Sequence, residues 1–220
     1  MKKISFLVLL LVFAHPSWLQ QARAADTEYF LAANASIDGR ALGDWGASWW
    51  QWLKSFARSN NPQTDLNGAL CTEGQVGDVW FLAGAPSPAP VERECTIPPG
   101  KTLFFPALSY IYYAGQDHPI DCATATTGVA ERVERPVVFT VSLNGDELPE
   151  PLQHREATTR CFDPLIHTRG DAEKTWAWPG ASDGYYFALK PLPPGKHVLR
   201  VLARGRRFGQ DITYTLTVLP

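Results

Sequence analysis

The chain is poor in charge, has a single methionine and four cysteines, and holds no apolar run long enough to cross a bilayer. Charged residues make up 19% of the 220 while aromatics reach 12%, too little charge and too many rings for a disordered chain. Twenty basic residues stand against 22 acidic ones, and without a basic excess nothing points to a nucleic-acid partner. No GxSxG, HExxH or HxxEH pattern occurs, and no CxxC or HxxxH spacing suits a compact zinc site. No cofactor or metal is expected. The turn Arg204-Gly205-Arg206-Arg207 carries three charges, too few for a polybasic membrane contact.

What is present begins with a targeting signal over residues 1–24. Lys2 and Lys3 precede an apolar stretch from Ile4 to Ala14, Pro16 breaks any helix, and Ala22-Arg23-Ala24 offers small residues where a signal peptidase reads. The stretch is about half of the ~20 residues a membrane span needs. Cleavage after Ala24 makes the protein secreted or periplasmic, with no transmembrane span in the mature chain. It removes three basic residues and no acid, taking the net charge from −2 to −5. Cys71, Cys95, Cys122 and Cys161 all remain, an even number in an exported chain, and so two disulfides. Three pairings are open. Proximity favours Cys71–Cys95 with Cys122–Cys161, each contributing ~3–4 kcal/mol by loop closure.

Residues 25–43 read as a loosely structured lead-in, and 44–220 as one domain. Asp44 to Arg58 predicts a helix with Asp44 as N-cap. Trp45, Trp49, Trp52 and Phe56 fall on one stripe that Leu53 widens, and Trp50 points elsewhere. Asn60-Asn61-Pro62 ends it. The rest reads as strand and turn. Val76–Ala83 and Thr102–Ala107 are apolar runs separated by a Pro-, Ala- and Ser-rich surface loop over 84–99. Val137, Phe139, Val141 and Leu143 alternate before Asn144-Gly145, a hairpin signal. Tyr185–Lys190 predicts a strand. Pro193-Pro194-Gly195 turns into the alternating strand from His197, and Ile212, Tyr214, Leu216 and Val218 share one face of the last. The sum is an antiparallel β-sandwich, jelly-roll or immunoglobulin-like, with a Trp-rich helix packed on it.

Several blocks together carry a resemblance: Trp49-Trp50-Gln51-Trp52, Val79-Trp80-Phe81-Leu82-Ala83-Gly84, Cys95 with Ile97-Pro98 and Gly100-Lys101, Phe104-Phe105-Pro106, Ser182-Asp183-Gly184-Tyr185-Tyr186, and Pro194-Gly195 with His197. The chain resembles a group of uncharacterised exported bacterial proteins sharing the WWxW helix and the VWFLAG block. The resemblance implies a shared fold and no particular activity.

For function, Trp50 is the first candidate, as part of an aromatic platform for a sugar ring. A Cys71–Cys95 bridge would draw Gln75 and Arg93 together, and Arg93 would then grip a carboxylate or form a salt bridge to Asp65 or Glu73. His197, near Asp183 across a hairpin, would serve proton transfer or simply order the turn, and Tyr185 is a further proton-transfer candidate. Asp117, His118 and Asp121 form a local acid/base cluster. Asp163 and Asp171 add carboxylates that spacing alone does not pair. The leading expectation is an exported, non-catalytic binding or envelope-associated module whose ligand is carbohydrate or another small molecule. The alternatives are a polysaccharide-active hydrolase or lyase, and a purely structural or adhesion protein. Oligomeric state is not legible.

Overall fold

A computed structural model describes residues 27–168, 177–206 and 208–220. The signal segment 1–24, Asp171 and Arg207 lie outside the described residues. A short hairpin, β1 (Ser36–Ile37) and β2 (Arg40–Ala41), leads straight into helix α1 (Leu42–Lys54). Strands β3 (Val79–Phe81), β4 (Pro90–Ile97) and β5 (Thr102–Tyr113) follow, then a second helix, α2 (Cys122–Ala130). The remaining strands are β6 (Val138–Leu143), β7 (Asp146–Glu147), β8 (Arg155–Ala157), β9 (Gly180–Leu189), β10 (Gly195–Arg204) and β11 (Gly209–Val218).

Two sheets face each other, one ordered β4-β11-β10-β6-β7 and the other β3-β5-β9-β8. The pairing is mixed rather than wholly antiparallel, because β4 runs parallel to β11 and β3 parallel to β5. Between the sheets lie Leu103, Phe105, Tyr185, Phe187 and Leu189 from one side and Val141, Leu199, Val201, Ile212, Leu216 and Val218 from the other. The four-stranded sheet is buried on its other face too. There Phe104, Tyr186 and Ala188 meet Trp49, Trp52 and Leu53 of α1. Two-sided cover explains why every residue of β9 is buried, the polar Ser182 and Asp183 included.

The Trp stripe of α1 packs as its spacing predicts, but the helix starts earlier and stops earlier. Ala41 is the N-cap and makes no side-chain cap bond. Asp44 sits in the first turn, where its carboxylate accepts from the Thr159 amide and hydroxyl at 2.8 and 2.7 Å. The Gly43 amide is satisfied by Glu156 at 2.9 Å. At the other end the Asn61 side chain donates to Leu53 O, 2.9 Å, and closes the last turn. Two glycines let the helix lie close to the sheet: an added Cβ would stand 2.2 Å from Ala157 O at Gly43 and 2.5 Å from the Tyr186 ring at Gly46.

Three expectations need correction. The lead-in is tied down: Leu31 N donates to Ala188 O, and Tyr29 O accepts from Lys190 N. The predicted loop over 84–99 contains β4, with Val91, Arg93, Cys95 and Ile97 inward and the residues between them exposed. An inward arginine hid that alternation. Helix α2 was read as strand or turn because Thr126, Thr127 and Gly128 are weak helix formers. Asp121 caps it through the Thr124 amide, 2.8 Å, and Ala125 and Val129 pack on Ala181. The disulfides are Cys71–Cys95 and Cys122–Cys161, the pairing that proximity favoured, and the second anchors α2. Among the described residues no helix is long and apolar enough to cross a membrane. The two disulfides are compatible with an extracellular protein.

Candidate functional site

Strand β5 outruns its partner β3. Pairing between them ends at Phe81 with Phe104, and Leu82 N donates the last bond to Phe104 O, 2.9 Å. Beyond it the register with β9 slips at Pro106/Leu108, a bulge that bends β5. The side chain of Gln210 fills the first gap along the vacated edge: its amide nitrogen donates to Pro106 O and Ala107 O, and its oxygen accepts from Ala85 N, 2.9 Å. Past Gln210 the edge of β5 forms the floor of a groove of about 350 Å³.

The groove has aromatic walls from two different layers. On the α1 side stands Trp50, half-buried, its ring edge-on to Trp49 at 5.0 Å. Its indole N–H donates to Ser109 Oγ, 2.9 Å, and Ser109 bonds to the Tyr186 hydroxyl, 2.9 Å, which in turn meets Ser182. Burial pushes the Tyr186 phenol up to about 12, so it is a neutral member of this chain. The opposite wall is Tyr110 with Phe208, packed edge to face at 4.8 Å. Phe208 is 53% exposed. No carboxylate, imidazole, thiol, ammonium or guanidinium is among the described residues lining the groove.

The other expected site residues are dispersed. Gln75 works as a backbone clamp on β3, donating to Cys71 O and Phe81 O at 3.0 and 2.8 Å and accepting from Phe81 N at 2.9 Å. Arg93 points into the sandwich, 2% exposed. Its guanidinium donates to the backbone carbonyls of Asp65, Ala83, Gln63 and Gly84 and to the Tyr214 hydroxyl. The salt bridge to Asp65 or Glu73 is not formed, and the guanidinium is committed to these protein acceptors. The Asp65 carboxylate instead accepts from the amides of Asn67, Gly68 and Leu70. Partial burial pushes the Asp65 carboxyl up, but those three amides and the Arg93 charge outweigh it and hold it below its ordinary value.

Asp183 and His197 do not pair. Asp183, 4% exposed, takes a two-pronged bond from Arg155, 2.9 and 3.2 Å. His197 stands at the start of β10 in the other sheet. Its ring nitrogens meet Pro193 O at 2.9 Å and the Asn144 amide at 3.2 Å, so it orders two turns. Tyr185 is buried between the sheets, its ring edge-on to Phe139 at 5.1 Å, and burial first of all raises its phenol. His118 bonds to the Tyr112 hydroxyl at 3.0 Å, while Asp121 caps α2. Asp163 accepts from Leu165 N, 2.8 Å. A second depression, of about 540 Å³, lies along α1 beside Trp45, Trp52, Val76 and His167. The N–H groups of its indoles are bonded to Ile37 O and Glu73 O.

Of the expected ligand-binding residues, only Trp50 lines the groove. Ser109, Tyr110, Phe208 and Gln210 were missed. They come together only where β5, the β10–β11 turn and the loop after β3 converge, and no local pattern marks that meeting.

No family model matches this chain, and no curated protein matches it. Among solved structures, PbICP-C in complex with falcipain-2 is similar with a TM-score of 0.28 at 10% identity, covering 64% of this chain and 99% of that one. The solution structure of Amebosin is similar with a TM-score of 0.21 at 9% identity, covering 61% and 99%. Superpositions this loose carry no argument about function.

Proposed function

We propose that the protein is an exported, non-catalytic binding module and that the groove beside Trp50 is its binding site. The observation that supports this most is the character of the lining among the described residues: uncharged, mostly apolar, walled by rings from two layers, with polar side chains at Gln63, Ser109, Tyr110 and Gln210. Such a recess holds a ligand by desolvation and a few oriented bonds. Its described lining holds no acid, imidazole or thiol, and Asp121, Asp163, Asp183 and His197 are engaged in a cap, turns and an ion pair. The ligand class expected from the sequence is carbohydrate. Trp50 offers less of a bare platform than that expectation needs, since its N–H is committed to Ser109 and the Lys54 ammonium lies 5.9 Å from its ring centre.

The test is a titration of the ¹⁵N-labelled mature chain with indole, benzyl alcohol and methyl β-glucoside at millimolar concentration. Saturable shifts at the Trp50 indole N–H and the Leu108–Ile111 amides are expected, and Ser109→Trp, which fills the recess, should abolish them. Shifts confined to other surfaces would refute the assignment. Release of new reducing ends from a polysaccharide panel would move the protein to the enzyme class.

A further inference from the structure

The floor of the groove says more than its walls. We propose that the groove takes an extended, uncharged polypeptide segment that adds as a strand to the open edge of β5. This rests on the groove being the binding site and names its occupant. Ala114 N donates to Pro179 O, 2.9 Å. Alternation along an antiparallel ladder therefore turns residues 112 and 110 toward β9, and turns the backbone groups of Ser109, Ile111 and Tyr113 away from it. On that outward side β3 has ended, and Gln210 covers only Pro106 and Ala107. Among the described residues no backbone or side-chain bond reaches the outward amides and carbonyls of these three positions. They repeat every second residue, which is the donor and acceptor spacing an extended chain matches.

The walls select the side chains. Residues of an added strand alternate between two faces. One face would meet Trp50 and Ile111, the other Tyr110 and Phe208. Among the described residues both walls are apolar and uncharged, with the Lys54 ammonium 5.9 Å from the Trp50 ring centre and outside the lining. A segment with neutral side chains on both faces therefore fits, and a charged side chain would be desolvated without a partner in the groove. The open edge, from Ser109 to Tyr113, spans five residues, or roughly 17 Å of extended chain. A second copy of the same protein is a poor occupant. Its β5 lies in an equal recess, and two recessed edges do not reach the ~4.8 Å spacing of paired strands. Natural sheets shield edges of this kind, and here the shield stops where the groove starts.

The experiment screens the ¹⁵N-labelled mature chain against capped heptapeptides that alternate Val, Ile or Phe with Thr or Ser. Each hit is then remade with the amides facing β5 N-methylated, which keeps every side chain and removes the strand's donors. Binding with shifts at Ser109, Ile111 and Tyr113, weakened at least tenfold by N-methylation, is the expected result. Ile111→Pro removes the outward N–H together with the Ile111 side chain and no bond to β9, so it should keep the fold and lose the peptide, whereas Ile111→Ala, which keeps that N–H, should lose far less. Peptides that bind the groove equally well when N-methylated would overturn strand addition while leaving the groove as the site. So would methyl β-glucoside or an oligosaccharide binding there with no peptide doing so. Concentration-dependent dimerisation lost in Ile111→Pro would give the edge to a second copy and overturn the peptide. Silence from every probe at residues 108–111 would remove both the peptide and the site.

Discussion

Truncating Arg93 separates a structural guanidinium from a ligand-binding one. The side chain is 2% exposed and donates to four backbone carbonyls and a phenol: Asp65 O at 2.7 Å, Ala83 O at 2.9 Å, Gln63 O at 3.0 Å, Gly84 O at 3.3 Å and Tyr214 Oη at 2.6 Å. It links the segment before the Cys71–Cys95 bridge, the loop after β3 and strand β11. In Arg93→Ala the Ala83 carbonyl keeps the Tyr214 hydroxyl as donor, 2.6 Å, while the carbonyls of Gln63, Asp65 and Gly84 lose theirs. A buried acceptor left without a partner costs about 1–3 kcal/mol, with Gly84 O at the upper end of that range and the part-buried Gln63 O and Asp65 O at its lower end. Part of that is returned because a charge no longer has to be desolvated. The expected net loss is about 4 kcal/mol. Arg93→Lys keeps the charge with three donors in place of a planar fork, and about half that loss is expected. Urea unfolding with disulfides intact, followed by tryptophan fluorescence, reads the difference. With a slope on the order of 2 kcal/mol/M, the alanine variant's midpoint falls by about 2 M and the lysine variant's by about 1 M. An alanine variant within 1 kcal/mol of the parent, at unchanged slope, would refute the argument.

Three further outcomes are expected. Trp49 is 2% exposed and donates to Leu82 O, so Trp49→Ala should lose about 4 kcal/mol, whereas half-buried Trp50 should lose about 1–2 kcal/mol as Trp50→Ala. Equal losses in urea melts would end the role of Trp50 as a groove wall. His154 is 5% exposed, stacks on Phe187 at 4.6 Å and finds no partner for its Nδ1 among the described residues. Burial pushes its imidazole below the ordinary value, against a bond to the Tyr186 backbone. The unfolded chain then takes up a proton near pH 6.5 that the folded chain refuses. Stability should fall as pH drops through about 6.5 and level off below the lowered folded value. His154→Phe should flatten that slope between pH 7.5 and 5.5, and parallel slopes in the two proteins would contradict it. Removing Cys122 and Cys161 together should cost about 3–4 kcal/mol and raise amide exchange across α2 first, because Ala125 and Val129 are its main packing residues. Uniform loss of protection, measured by mass spectrometry, would argue against that anchoring.

Much of the fold was legible because it rests on periodicity. The stripe of α1, the alternation of β6, β10 and β11, and the Asn144-Gly145 turn, both residues at positive φ, are each encoded within about a dozen residues. So was the disulfide pairing, through sequence proximity. Strand β4 was not legible, because its inward Arg93 breaks the apolar alternation and its reason for pointing inward is a set of carbonyls from three distant segments. Helix α2 was not legible because its stability comes from a disulfide and from Ala181 rather than from propensity.

The sequence by itself determined a mainly β chain with a tryptophan-striped helix, since composition, period and turn chemistry act locally. Only the tertiary structure decided the roles of the polar residues. Gln75, Arg93, Asp183 and His197 all look like chemistry in one dimension, yet in three dimensions each is bound to a backbone or ion-pair partner 4 to 30 positions away. The groove is the converse. Its floor exists because β3 is shorter than β5, and its walls meet only when two layers pack on the two faces of one strand.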